Sequence, residues 1–508
     1  MTREAALPNT ALAVGLLIAI SAIVRMVVAA AVGLSVDESY IVGISRDWAL
    51  SYFDHPPLHL WLVRAWATLA GSERPVVVRL PFMALFAGST WVMYRLTARA
   101  YGERAGLWAA VTFNLTPVYT ISIASWVLPD GPLMLFSLLA VYAVAYAVRD
   151  PGASESLLAG WFAAGIAAGL ALLSKYTGIF VLFGVALFLA TARSYRRLWL
   201  TPGPWLAGIT SAVVFAPVVI WNSRHHWASF AFQGGRVTSH GFRVVWPIQD
   251  VGGQLAYLTP WIALPLLMQL IRALRRGPVD SSAWLLACLA VGPVALFTLL
   301  GLRTPILAHW PMIGWLFVFP LLGAALARLE ASRPVTAHVY CWASAGLLIA
   351  VLGVAVTQAR TGWITRLEPA WLAMDPTVDV LDWDPLEPAL SRRGLLHAGT
   401  VLATPSWIDS GKVNYAFGGR YSVLCLCADP RAFAYAGQRP QTASDVLLIS
   451  NATRADWQES LARYVDRIDP LADVVVSRNG QPAVTLHVAR GIGVKAQSNA
   501  DAATNSNR

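Results

Sequence analysis

The chain has 508 residues, of which 56% are hydrophobic and only 13% charged, with a mean hydropathy of +0.55. A soluble domain usually carries about 25% charged residues, so a wholly soluble fold is excluded and most of this chain must be solvated by lipid. The net charge of +10 is almost all arginine. No Arg-rich run with interleaved aromatics occurs, which argues against nucleic-acid binding and ties the basic excess to topology and lipid headgroups.

Apolar segments recur near 11–34, 76–97, 105–123, 131–148, 156–173, 177–192, 204–221, 251–271, 283–301, 310–327 and 338–358. Most are long enough to cross a hydrocarbon core of about 30 Å. The expected fold class is a polytopic α-helical membrane protein with about eleven transmembrane helices, give or take one or two where a helix is tilted or broken. The first segment is too long for a cleaved signal peptide, and no small-residue cleavage site precedes Asp37.

That first segment holds Arg25, a charge expensive to leave unpaired in lipid, so a protein partner or a lipid phosphate is expected for it. It is followed at once by SVDESY, with Asp37 and Glu38 adjacent. Such a pair can be two solvated loop acids. It can also be a general base or metal ligand with a neighbour that raises its pKa, and its place at a membrane exit favours chemistry. Residues 39–71 carry Trp48, Trp61, Trp66 and apolar residues at helical spacing, as interfacial helices do. The DHPP turn, Asp54 to Pro57, divides this loop into two helices. His55 is either a turn residue or a group able to bind phosphate or orient a carboxylate.

With a cytoplasmic N-terminus, the short inner loops hold Arg95, Arg99 and Arg104; Arg193, Arg196 and Arg197; Arg272, Arg275 and Arg276; and Arg328 and Arg333. That is the positive-inside pattern, and it puts Asp37 and Glu38 outside the cytoplasm. Asp130, in WVLPDGPLML, reaches the same face. An N-cap explains it, and a site carboxylate beside an anion-binding helix N-terminus is compatible with that. Lys175, at another outer junction, is either a snorkelling lysine or a phosphate contact. His309, Trp310 and an outer loop with Arg224, His225, His226, Arg236, His240 and Arg243 complete a basic, aromatic rim without zinc-type spacing. Cys425 and Cys427 share a face of a predicted strand; a disulfide between residues two apart would be strained, so core packing is expected there.

After about residue 359 acidic residues return and no further span occurs. GTVLATP, YSVLCLC, DVLLIS, DVVVSR and AVTLHVA read as strands, and SWIDSGKVNYAF and RADWQESLARYVDRI as helices. The expected organisation is a transmembrane domain over 1–358, a small soluble α/β extracytoplasmic domain over 359–493, and a polar, disordered tail over 494–508.

A first helix with an internal Arg, then DESY, FDHPPLHLW, VRLP and a later outer Asp, with SKYTG and AHWPM downstream, resembles the GT-C glycosyltransferases. The similar branch is the dolichyl-phosphate-mannose protein mannosyltransferase and aminoarabinose transferase superfamily, as bacterial members carry it, and the likeness is strongest over about residues 15–320. The resemblance implies transfer of one sugar from a polyprenyl-phosphate donor to an acceptor hydroxyl on a lipid, glycan or protein, outside the cytoplasm, frequently with inversion. The chain would then be a multi-pass protein of the bacterial cytoplasmic (inner) membrane with its site facing the periplasm. Asp37 would be the catalytic carboxylate, assisted by Glu38 and Asp130. His55, Lys175 and Arg25 fall to the donor phosphate on chemical grounds. No cofactor is required, and a divalent metal is compatible with these residues but not demanded by them. The competing readings are a transporter or lipid-carrier flippase, whose polar groups would lie near the midplane, and a non-catalytic scaffold.

Overall fold

The computed structural model describes residues 9–148, 154–236, 243–435, 445–451 and 457–495. The chain enters through α1 (Thr10–Ala31), whose first turn is capped by the Asn9 side chain accepting from the Leu12 amide. At about 1.5 Å rise per residue, its 22 residues span the hydrocarbon core. Leu12, Leu16, Ile20, Ile23 and Val27 are exposed along it, a face made for lipid. Two helices of the first outer loop follow, α2 (Val36–Ile44) and α3 (Leu58–Ala70); α2 ends well before the Asp54–Pro57 turn, so a non-helical stretch over 45–57 separates them and the prolines mark only the start of α3.

The bundle continues through α4 (Pro75–Tyr101), α5 (Glu103–Leu115), α6 (Asp130–Ala147), α7 (Ser154–Ser174), α8 (Ile179–Thr191), α9 (Pro202–Arg224) and the short α10 (Ala228–Gly235). It is completed by α11 (Val245–Leu258), α12 (Pro260–Arg276), α13 (Ser281–Leu300), α14 (Met312–Leu316), α15 (Phe319–Ser332) and α16 (Pro334–Thr361). Among the described residues six helices are long and apolar enough to span a membrane, or up to eight when two bent pairs are each counted as one span. The expected eleven is therefore not reached by that measure. Several apolar runs are broken: α11 and α12 meet at 104° beside Pro260, α5 gives way at Thr116-Pro117 to a π-helical turn, Val118–Ile123, and the 310–327 run divides between α14 and α15.

The predicted inner loops gather at one end. Thr10, at the start of α1, hydrogen-bonds Glu103, Arg104 pairs with Glu330, and Leu96, Arg99, Tyr195 and Ser281 line one small cavity of about 260 Å³. In the bundle core Phe86 stacks on Phe113, Tyr119 and Phe319 meet edge to face, and the Tyr119 hydroxyl donates to the Met312 carbonyl at 2.6 Å.

At the opposite end sits the C-terminal domain, reached through α17 (Trp363–Leu367) and α18 (Leu386–Arg392). Five strands, β1 (Val401–Thr404), β2 (Ser422–Cys425), β3 (Asp445–Asn451), β4 (Val465–Arg478) and β5 (Gln481–Val494), lie in the order β2-β1-β3-β5-β4. β1 is parallel to β2 and β3, while β5 is antiparallel to β3 and β4. Helix α19 (Trp407–Ala416) makes the crossover from β1 to β2, and α20 (Trp457–Ala462) precedes β4.

Two expectations are corrected here. The helix read over RADWQESLARYVDRI stops at Ala462, because Val465 to Ile468 pair with β5; its first residues, 454–456, lie outside the described ones. Cys425 and Cys427 form a disulfide, since the strand ends at Cys425 and the turn brings their Cα atoms to 5.5 Å, inside the usual range. The tail expected to be disordered lies, from residue 496, outside the described residues.

Candidate active site

Asp37 and Glu38 are consecutive residues of α2 with opposite environments. Ser35 and Glu38 form a capping box: the Ser35 hydroxyl accepts from the Glu38 amide, and Glu38 Oε2 accepts from the Ser35 amide at 2.9 Å. Arg79 of α4 grips the same carboxylate with two bonds, Nε to Oε1 at 2.8 Å and Nη2 to Oε2 at 2.6 Å. The Val127 amide adds a fourth at 3.0 Å. Burial pushes the Glu38 carboxyl up, but Arg79 and the two amides outweigh it and hold it below the usual carboxylate range. Arg79 also donates to the carbonyls of Ala29, Val32 and Gly33, so the pair clamps the end of α1 to the start of α2.

Asp37 faces the other way, into a cavity of about 630 Å³. Among the described residues no hydrogen bond or salt bridge reaches its carboxylate. Burial pushes its pKa up, and Asp54, Glu38 and Asp379 add to the rise; Arg431 opposes it. A carboxylate so placed is accessible from the cavity, more basic than an ordinary aspartate and open to a ligand.

The same cavity is lined by His55, Asp130, Lys175, Arg236, His309, Trp310, Trp407 and Arg431. Lys175 Nζ contacts both Asp130 oxygens, at 2.9 and 3.0 Å. Sequence alone treats these two as separate candidates, whereas here they are one ion pair. His55 and His309 are driven down, by burial first and then by Lys175, to about 3 and about 4, so both are neutral imidazoles. His59, one turn beyond His55 and fully buried, meets the His55 ring edge-on at 5.4 Å. Arg236 lies over the Trp310 ring at 4.9 Å.

Four of the six expected site residues, Asp37, His55, Asp130 and Lys175, thus line one cavity. Glu38 and Arg25 do not. Every Glu38 oxygen is already engaged. Arg25 points between α1 and its neighbours, where Nη2 donates to Asn114 Oδ1 at 3.0 Å and Thr120 Oγ1 at 3.2 Å and the guanidinium lies over Phe86 at 4.4 Å. Its partners are neutral protein groups rather than a carboxylate, and they sit behind the cavity wall formed by Val118 to Ile123.

Sequence reasoning missed what the C-terminal domain contributes. Trp407, Ile408 and Arg431 close the cavity above Asp37. Helix α19 packs against α2 so tightly that a Cβ on Gly411 would stand 2.9 Å from Tyr40 Cα. Buried Lys412 donates to the Leu34 carbonyl at 2.6 Å and to the Leu381 carbonyl at 3.0 Å, and the Leu34 amide donates to Asp382 Oδ1. For Lys412 the signal was its identity, one of three lysines in an arginine-rich chain; for Arg431 there was none. Among the described residues no group of three or more His, Cys, Asp or Glu side chains is assembled in a way that could hold a metal ion.

The dolichyl-phosphate-mannose-protein mannosyltransferase family model matches residues 54–221. The lipid A galacturonosyltransferase RgtD of Rhizobium johnstonii is 24% identical over 292 residues, which is 55% of this chain and 58% of that protein. Dolichyl-phosphate-mannose–protein mannosyltransferase 1 of Saccharomyces cerevisiae is 29% identical over 187 residues, 33% of this chain and 22% of that one. The chain thus spans a little over half the length of the first relative and about a fifth of the second. Crystal structures of ArnT from Cupriavidus metallidurans, in the apo state and bound to undecaprenyl phosphate, superpose over 95% of this chain and 99% of theirs, with TM-scores of 0.62 and 0.60 at 16% identity. That likeness establishes a shared fold.

Proposed function

We infer that this chain, a multi-pass membrane protein of the GT-C glycosyltransferase superfamily, moves a sugar from a polyprenyl-phosphate donor to an acceptor hydroxyl at the extracytoplasmic face. The observation that carries the reading is the free Asp37 carboxylate opening into a cavity that also presents Lys175, Arg236 and two neutral imidazoles. The bound undecaprenyl phosphate of the similarly folded ArnT and the lipid A acceptor named for the Rhizobium relative support donor and acceptor classes of this kind.

In this reading Asp37 takes the proton from the acceptor hydroxyl as its oxygen attacks the anomeric carbon. The bond from that carbon to the donor phosphate oxygen breaks, the configuration inverts, and polyprenyl phosphate leaves with the bonding pair. Arg236 and the Lys175–Asp130 pair, with His55 and His309 as neutral donors, sit where charge grows on the departing phosphate. Glu38 holds the end of α1 against α2 through Arg79, and Arg25 stabilises the wall behind the site. No step calls for a metal. The acids gather at one membrane edge rather than at the midplane, which gives a flippase no comparable support.

The basic ends gathered opposite Asp37 favour an N-terminus in the cytoplasm and a site facing the periplasm of a bacterial inner membrane. The Cys425–Cys427 disulfide also suits an oxidising compartment. The test is transfer by purified, reconstituted protein from undecaprenyl-phosphate-linked sugars to lipid A. Asp37→Asn is expected to abolish transfer while retaining donor lipid binding; full activity in that variant would sink the reading.

A further inference from the structure

Arg431 is held in place with more care than a surface arginine needs. It opens a short 3₁₀ turn, Arg431–Ala434, with a left-handed φ of 48°, a conformation a non-glycine residue adopts only where its surroundings enforce it. Its guanidinium carbon lies over the Trp407 indole, 3.7 Å from the ring centre, and Trp407 is braced edge-on by Tyr40 at 5.3 Å. The Tyr40 hydroxyl accepts from the Ala432 amide and donates to Asp54 Oδ1, both at 3.1 Å, so one tyrosine of α2 fastens the turn that carries the arginine. These contacts deliver a cation from the soluble domain into the membrane domain's cavity.

What that cation faces is a corner rich in acid. Asp54 is buried, and its Oδ2 has no hydrogen bond, with Arg431 Nη1 at 3.7 Å and the neutral His55 Nε2 at 3.9 Å. Asp37 lines the same cavity. The remaining charges around Asp37 are committed elsewhere: Glu38 to Arg79, Lys175 to Asp130, and Asp379 lies beside buried Lys412. Asp429 touches Arg431 at 3.5 Å from a half-exposed position. Arg236 stacks on Trp310. Arg236 and Arg431 both line the cavity and both act on Asp37 and Asp54, but among the described residues Arg431 is the one in ion-pair contact with Asp54, and its pull on Asp37 exceeds that of any other cation.

We propose that Arg431 is a positioning residue for the transfer reaction, supplying from the C-terminal domain the counter-charge that keeps the Asp37 base ionised beside Asp54. The proposal rests on the transferase reading and deepens it: the soluble domain becomes a working part of the active site. The burial that raises Asp37, and the opposing pull of Arg431, run in the direction the geometry requires.

The test is the pH–rate profile of Arg431→Gln and Arg431→Lys in the full-length, reconstituted protein, with donor binding measured separately. A facing cation favours the charged form of a carboxylate and so lowers its pKa. Arg431→Gln should move the acid limb of kcat to higher pH, lowering kcat more than it raises KM, with activity recovering at alkaline pH. Arg431→Lys, which keeps the charge, should return the limb most of the way. A superimposable limb in Arg431→Gln overturns the proposal, and so does loss of donor binding with an unmoved limb, which would make Arg431 a ligand contact. Asp37→Asn separates the two levels. If it is silent the transferase reading falls; if it is inactive while the Arg431→Gln limb stays fixed, only this inference falls.

Discussion

Asp37 and Glu38 differ by one position and one methylene, and the fold uses them for opposite purposes. Glu38 satisfies two backbone amides and one guanidinium; removing its charge leaves Arg79 buried and unpaired, a change that costs about 3–5 kcal/mol in comparable pairs. Glu38→Gln should therefore lower the melting temperature markedly, read by intrinsic fluorescence, and lose activity only in step with folding. Asp37→Asn should do the reverse. Its folded-state pKa is raised, so the ionised carboxylate weakens the fold at every pH above the unfolded value, with the loss developing between that value and the raised one. The amide removes this term, so the inactive variant should melt no lower than the wild type at neutral pH; a clear fall would contradict the placement. The same shift makes transfer decline on the acid side at a pH above the ordinary aspartate range. Ser35-x-x-Glu38 was legible as a capping box from sequence and marks Glu38 as structural. The adjacency of the two acids obscured it.

At the level of elements, the contact that matters is α2 against α19. Gly43 and Gly411 let the helices meet almost backbone to backbone: an added Cβ would reach Asn414 at 2.9 Å in one case and Tyr40 at 2.9 Å in the other. Gly411→Ala is expected to cost about 1–3 kcal/mol by overpacking and to reduce transfer by displacing the helix that bears Asp37, measurable as a lower melting temperature together with a lower kcat. Unchanged values of both would show that the interface yields. Periodicity located both helices, and the Asp54–Pro57 turn was readable because proline limits the backbone before it. Their contact was not readable, since it joins segments some 370 residues apart, as in the Arg46 bond to the Asn414 carbonyl with a separation of 368. Hydropathy likewise marked the apolar segments but not their breaks, because a run of apolar residues carries no record of a bend.

For the whole molecule, charge sorts the ends. The arginine-bearing loops collect where Thr10, Arg104, Arg99 and Ser281 meet, and the sheet domain covers the other end. A membrane-impermeant maleimide should therefore label Arg393→Cys in intact spheroplasts, and Val279→Cys, at a position 93% exposed, only after lysis. The opposite pattern would invert the topology. Composition and arginine spacing made the sorting of charge between the two ends legible, whereas the cavity's closure by the sheet domain followed from no local pattern.

The grip of Lys412 and Arg431 on the first outer loop also sets a schedule. Asp37 leaves the ribosome long before the residues that complete its surroundings. At about 5–20 residues per second, a separation of 368 residues corresponds to a delay of roughly 20–70 s. During that interval the membrane helices can insert while the base lacks both its roof and its counter-charge. On the proposed transferase reading, competence would arrive only once α19 and the turn that carries Arg431 have been made, so a product truncated before α19 is expected to show no transfer from a lipid-linked donor.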